Sequence, residues 1–257
     1  MTVGQLDGKV AVITGAGTGL GAATATLFAR EGAAVTLVGR RAEKLKDVAA
    51  AIESEGGRAL VLPGDVAQPE TAARAADETI QAFGGIDILI NNAGLHATPY
   101  PLHETPIDEW DRFLAVDLTG PFLFTKAVLP SMMDRRDGAI VNIGSMVALV
   151  GFKGSTAYAA AKGGLVSMTR TTAVDYAPYG IRATCVCPGG MEPVEYGNLT
   201  DDQMAQLHEA VKLSGGALLN RLANVDEVAQ FLLVLVGPNG RSLTGAVIPF
   251  DGGFTAK

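Results

Sequence analysis

Cysteine is scarce in this chain: there are two in 257 residues, Cys185 and Cys187. They sit two apart in Ala183-Thr184-Cys185-Val186-Cys187, so in a strand they face the same way, and they read as small core hydrophobes. A disulfide scaffold is excluded. The three histidines, His96, His103 and His208, fall in no spacing suited to a metal ion, so no metal site is expected. Positive charge is also in short supply. Twenty basic residues against 27 acidic ones leave a net charge of −7. That is the wrong sign for the phosphates of DNA, RNA or an anionic membrane. No run of about 20 apolar residues is present to span a bilayer. Met1 to Gly8 is short and polar, unlike a secretory leader. A cytoplasmic, reducing location is expected, with no nucleic acid and no membrane among the partners.

What is present is apolar material, 48% of the chain against 18% charged, which is ample for a buried core and unlike a disordered segment. Short apolar runs alternate with longer amphipathic ones. The runs are Val10–Ile13, Ala34–Val38, Ala59–Leu62, Ile86–Ile90, Ala139–Ile143, Ala183–Val186 and Ala246–Ile248. Helical patterns lie between them, over Gly21–Glu31, Ala42–Glu55, Pro69–Phe83, Asp108–Met133, Tyr158–Tyr179 and Val225–Val236. Near-continuous apolar strands are strands buried on both faces. The alternation predicts an α/β fold, a doubly wound parallel sheet of about seven strands with helices on both faces. No linker tract divides the pattern, so residues 1–257 are expected to form one domain. Pro193–Leu222 breaks the rhythm, and insertions there in an open α/β sheet tend to cover the ligand crevice. A substrate lid around 191–219 is therefore expected.

The first strand runs into Thr14-Gly15-Ala16-Gly17-Thr18-Gly19-Leu20-Gly21 and then a helix. Gly15 permits a tight turn, Gly19 lets backbone N–H groups approach a pyrophosphate, and Gly21 lets the helix pack on the strand. The helix N-terminus adds a partial positive charge. In this context the loop predicts a dinucleotide on a Rossmann-type fold. The second strand ends at Val38-Gly39-Arg40-Arg41. An acidic residue there would accept hydrogen bonds from the ribose 2′-hydroxyl of NAD. Instead two guanidinium groups are available for a 2′-phosphate, so NADP(H) is favoured over NAD(H); the alternative is that Arg40 and Arg41 are solvated residues opening the next helix.

Tyr158-Ala159-Ala160-Ala161-Lys162 places a phenol and an ammonium on one helix face. A free tyrosine titrates near 10, and exchanging protons near neutrality takes about 4 kcal/mol of phenolate stabilisation, of the sign an ammonium supplies. Ser145 ends the fifth strand, and Asn91-Asn92-Ala93-Gly94 ends the fourth; ligands in such sheets sit beyond those strand ends. Together with Asp65-Val66, Pro188-Gly189 and Asp251-Gly252-Gly253, these elements run in order along nearly the whole chain. The chain resembles the short-chain dehydrogenase/reductase (SDR) family.

The resemblance implies an NAD(P)-dependent oxidoreductase that moves a hydride between nicotinamide and a carbonyl or alcohol carbon. It implies that Ser145 binds the substrate oxygen, that Tyr158 is the general acid or base, and that Lys162 holds the nicotinamide ribose and lowers the tyrosine pKa. Gly15, Thr18, Gly19, Leu20 and Gly21 would take the pyrophosphate. Asp65 and Val66 would meet the adenine, Asn92, Ala93 and Gly94 the ribose. Pro188, Gly189 and the Met191 backbone would sit at the nicotinamide end. Two positions depart from the family pattern. Asp117 stands where an asparagine is usual and joins the expected catalytic set. Pro193 stands where a threonine often bonds the carboxamide. His96, Val147, Phe152 and Tyr196 are expected around the substrate. An apolar wall beside an acidic lid favours a neutral hydrophobic ketone, reduced by NADPH. A 3-oxoacyl thioester reductase, a sugar or cyclic-diol dehydrogenase, and a non-catalytic cofactor-binding sensor are the alternatives. The resemblance also implies a homotetramer.

Overall fold

The computed structural model describes residues 4–193, 200–213 and 216–257. Seven parallel strands form one sheet in the order β3-β2-β1-β4-β5-β6-β9. They are β1 (Val10–Thr14), β2 (Ala34–Gly39), β3 (Arg58–Pro63), β4 (Ile88–Asn91), β5 (Gly138–Ile143), β6 (Ile181–Pro188) and β9 (Val247–Phe250). Helices α1 (Gly19–Arg30), α2 (Ala42–Ser54) and α8 (Val225–Val236) cover one face. Helices α3 (Pro69–Phe83), α5 (Gly120–Arg135) and α6 (Thr156–Tyr176) cover the other. The two faces have separate cores. Phe28, Leu37, Leu45 and Leu232 fill the first, and Val12, Leu89, Phe124 and Met132 the second. This is the doubly wound sheet that the alternation predicts.

The central strands β1, β4, β5 and β6 are buried along nearly their whole length, as their composition requires. The edge strands differ. In β3 only Leu62 is fully buried, and in β9 no residue is. An outer strand has a neighbour on one side alone, so apolar content there does not guarantee burial.

Strand order reverses between β1 and β4, which lie side by side while their crossovers run to opposite directions of the sheet. A crevice opens there beyond the carboxyl ends of the strands. At the opposite, amino ends, buried Asp87 accepts the Val10 amide at 2.9 Å and pairs with Lys9 and Arg135 at 3.5 and 3.2 Å, tying β1 to the start of β4.

The predicted helix Asp108–Met133 is not one regular helix. It is α4 (Ile107–Leu114), a single π turn over Ala115–Thr119, and α5. By length and apolar content Ile107–Arg135 would suffice to cross a membrane. Its residues Phe113, Phe124, Val128 and Met132 are instead buried in the protein.

The segment that breaks the rhythm contains α7 (Asp201–Leu213), flanked by short strands β7 (Met191–Glu192) and β8 (Ala223–Asn224), which pair with each other. Helix α7 is a finding beyond the sequence reading. Its start is a reciprocal cap: the Gln203 amide donates to the Thr200 hydroxyl at 3.3 Å, and the Thr200 amide donates to the Gln203 side chain at 2.9 Å. The pattern Thr-Asp-Asp-Gln carries that capping signal.

Candidate active site

The glycine turn is built by sterics. Gly15 adopts φ +66° and Gly19 φ +53°, both left-handed. A side chain on Gly21 would put its Cβ 2.2 Å from the Gly15 carbonyl oxygen, so α1 packs directly on the end of β1 only without one. The loop is locked from the fourth strand. The Thr14 hydroxyl accepts the Asn92 and Ala93 amides, each at 3.0 Å, and the Asn92 side chain donates to the Thr14 and Gly15 carbonyls at 2.9 and 3.3 Å. Asn92 thus shapes the phosphate loop as well as lining the crevice. Gly21→Ala is expected to cost about 1–3 kcal/mol by overpacking, read as a lower midpoint in urea, together with weaker dinucleotide binding.

A cavity of about 490 Å³ runs along the carboxyl edge of the sheet. At one end Arg40, Arg41, Asp65 and Val66 line it; Gly15, Thr18, Gly19 and Leu20 form its floor over the start of α1; Asn92, Ala93 and Gly94 follow. At the other end stand Ser145, Tyr158, Lys162, Pro188, Gly189, Met191 and His96. Arg41 donates to the Thr18 hydroxyl at 3.1 Å, which brings its guanidinium over the first turn of α1. Gly21 sits beneath the floor, packed on Gly15. Val147 and Phe152 do not line this cavity: Val147 is buried, and Phe152 packs on Phe254 with ring centroids 6.2 Å apart. Tyr196 lies outside the described residues. The cavity also touches Leu95, Val116, Ile143 and Gly144, which sequence reasoning missed. Two of these act through backbone atoms, as follows, and backbone groups leave no mark in residue type.

The reacting end gathers polar side chains from three elements, with Ser145, Lys162 and Asp117 buried and Tyr158 half-buried. Helix α6 presents Tyr158 and Lys162. Ser145 follows β5, where it is 8% exposed, and its hydroxyl accepts the Val147 amide at 3.4 Å. The Tyr158 ring meets Phe113 of α4 edge-on, 5.7 Å between centroids, so the phenol is held from behind. Lys162 donates to the Ile143 carbonyl at 2.8 Å and pairs with Asp117 at 3.0 Å. Asp117, wholly buried on the π turn, also accepts the Leu95 amide with its two oxygens at 3.2 and 3.3 Å. Enclosure pushes the Tyr158 phenol up from its ordinary value; the Lys162 ammonium and a hydrogen bond from Ser145 pull it down, and Asp117 pushes it up again.

The residues fit a dinucleotide. The Gly15–Gly21 cradle leaves no room for a side chain at Gly21, stands at a helix N-terminus, and opens into the same cavity as Ser145, Tyr158 and Lys162 at the far end. Fold and cavity together fit a dinucleotide-dependent oxidoreductase.

Comparison with known proteins agrees. The short chain dehydrogenase family model matches residues 9–204. The cis-4-hydroxycyclohexanecarboxylate dehydrogenase of Sinomonas cyclohexanicum is 39% identical, over 96% of this chain and 97% of its own length. Among solved structures, levodione reductase superposes with a TM-score of 0.91 at 31% identity, covering 98% of this chain and 99% of the other. An NAD+-bound xylitol dehydrogenase does so at 0.88 and 32% identity, over 96% and 99%. The chain belongs to the short-chain dehydrogenase family. It is an oxidoreductase acting on CH–OH groups, a class that binds nicotinamide cofactors.

Proposed function

We propose that this chain interconverts a small, neutral secondary alcohol and its ketone, with NADP(H) favoured over NAD(H). The observation that carries the reading is the continuity of one crevice from the Arg40/Arg41 pair, over the glycine cradle, to Ser145 and Tyr158. Nicotinamide, when bound, supplies or accepts the hydride. Ser145 orients the substrate oxygen, Tyr158 gives or takes its proton, and Lys162 is fixed beside the phenol by the Ile143 carbonyl and Asp117. Pro188, Gly189 and Met191 line the same end. Pro193 offers no N–H or hydroxyl to the carboxamide. No carboxylate at Gly39 opposes a 2′-phosphate, and the charge-assisted donors of Arg40 and Arg41 stand at that rim.

The Sinomonas relative acts on a ring alcohol carrying a carboxylate. In this chain, among the described residues, the only basic side chains at the reacting end of the cavity are Lys162 and His96. Asp117 neutralises the first. Leu95, Val116 and Met191 add apolar wall. A neutral ring alcohol or ketone suits this lining better than an anion or an acyl thioester. The segment around 191–219, with α7, serves as the lid. The outward Phe122 and Val174 on α5 and α6 support a homotetramer built on those helices, and the free thiols of Cys185 and Cys187 suit a reducing cytoplasm.

Nicotinamide absorbance followed with cyclopentanol-, cyclohexanol- and cyclohexanedione-type substrates tests this. Turnover with neutral ring compounds, faster with NADP(H) than NAD(H), is expected. Activity confined to carboxylated or thioester substrates would overturn it.

A further inference from the structure

The buried pair formed by Asp117 and Lys162 is more than a contact between neighbours. Its partners come from different elements, the π turn and α6, and both are almost entirely excluded from solvent. The Ile143 carbonyl takes a second ammonium donor, so one of the three Lys162 N–H groups is left for the cavity. Space for the pair is made by a glycine: a Cβ on Gly94 would lie 2.7 Å from the Asp117 oxygen and 3.4 Å from the Lys162 nitrogen. The same carboxylate holds the Leu95 amide, so the loop that follows β4 closes on it. The wide π turn, a local feature common at functional sites, is what carries Asp117 inward.

We propose that Asp117 is a positioning residue that cancels the Lys162 charge beside Tyr158, keeping the tyrosine in its protonated, proton-donating form at neutral pH, so that ketone reduction runs at neutrality and alcohol oxidation is confined to alkaline solution. This rests on Tyr158 being the acid–base group. Several groups bear on the pair, and His96 lines the same end of the cavity. Asp117 faces Lys162 and Tyr158 of α6 and Arg112 of α4, the last engaged by Glu109 at 3.1 Å. Lys162 faces Asp117, Tyr158 and Cys185 of β6. Tyr158 faces Lys162, Asp117, Ser145 and Cys187 of β6. Burial raises the Asp117 carboxyl, and for the pair we take the ionised state, since Lys162 and the Leu95 amide both favour the carboxylate. The ammonium stabilises phenolate and the carboxylate opposes it, so removing the negative charge moves the tyrosine's proton exchange to lower pH. A neighbouring charge at this range shifts a titration by about 1–3 units.

The test is a titration of Tyr158 in the cofactor-free protein, read by NMR of ring-labelled tyrosine and assigned by its loss in Tyr158→Phe. In the unsubstituted protein Tyr158 is expected to titrate at or above the ordinary tyrosine value of about 10. In Asp117→Asn it is expected to move down by about one unit or more, and the alkaline limb of alcohol oxidation to move with it. A Tyr158 midpoint near neutrality in the unsubstituted protein, or an unmoved or raised midpoint in a folded Asp117→Asn, overturns the proposal. The first criterion needs no variant at this position, so it decides even where Asp117→Asn does not fold. Full turnover in Tyr158→Phe would instead sink the underlying assignment of the acid–base group, a distinct outcome.

Discussion

Tyr158→Phe is expected to lower kcat by about 10²- to 10⁴-fold, the span a positioned general acid or base contributes. The substitution is mild in every other respect. The ring keeps its edge contact with Phe113 at 5.7 Å and its place on α6, so fold and dinucleotide binding are expected to survive. Lys162 retains both anchors, Ile143 and Asp117. The loss therefore falls on kcat, with the KM for cofactor changed by less than about threefold, the signature of an interaction made chiefly in the transition state. Steady-state kinetics in both directions check this. A variant retaining more than about a tenth of the parent kcat would fall short of any acid–base contribution of this kind and remove Tyr158 from the chemistry.

The second large effect is on cofactor choice. Arg40→Ala is expected to raise the KM for NADPH by roughly ten- to a hundredfold, the worth of one charge-assisted contact of about 1.5–3 kcal/mol, and to leave NADH almost untouched. Arg40 is the cleaner site to cut, because Arg41 also bonds Thr18 at the head of α1 and its loss would loosen the loop for both cofactors. Adding Gly39→Asp should then reverse the preference. A Cβ at Gly39 meets nothing closer than the Leu45 methyl at 3.4 Å, an ordinary contact, and Gly39 has no left-handed backbone to strain. The new carboxylate would repel a 2′-phosphate and accept the ribose hydroxyl of NAD. The ratio of kcat/KM for NADPH and NADH reads the outcome; a parent enzyme that already prefers NADH would show Arg40 and Arg41 to be solvated.

The sheet was legible because its central strands are short apolar runs with no polar face, a pattern that leaves few other foldings. The phosphate loop was legible because its glycines are there for geometry, and the geometry is local: Gly15 for a positive φ, Gly21 for a contact six residues away. What stayed hidden is non-local or non-side-chain. Helical periodicity over Asp108–Met133 cannot register one widened turn, yet that turn at Ala115–Thr119 is what buries Asp117 against Lys162. The Ile143 carbonyl and the Leu95 amide complete the centre as backbone groups, whose partners depend on the fold and not on residue type. Val147 and Phe152 follow Ser145 in sequence, but a short 3₁₀ turn at Met146–Ala148 turns the chain, so that Val147 is buried and Phe152 packs on Phe254 instead of the cavity. The Thr200–Gln203 cap of α7 is readable in principle, but the strands that flank its helix, β7 and β8, are two residues long and leave no apolar run to frame it.

The central claim is hydride exchange between a nicotinamide and the carbinol carbon of a neutral ring alcohol. It is tested most directly by incubating the chain with a ring ketone and NADPH deuterated at the transferring face of the nicotinamide, then weighing the alcohol. The account predicts one deuterium on the carbinol carbon with the parent chain, and almost no product with Tyr158→Phe. Alcohol formed without deuterium from either face-labelled cofactor, or formed equally well by the phenylalanine variant, would contradict it.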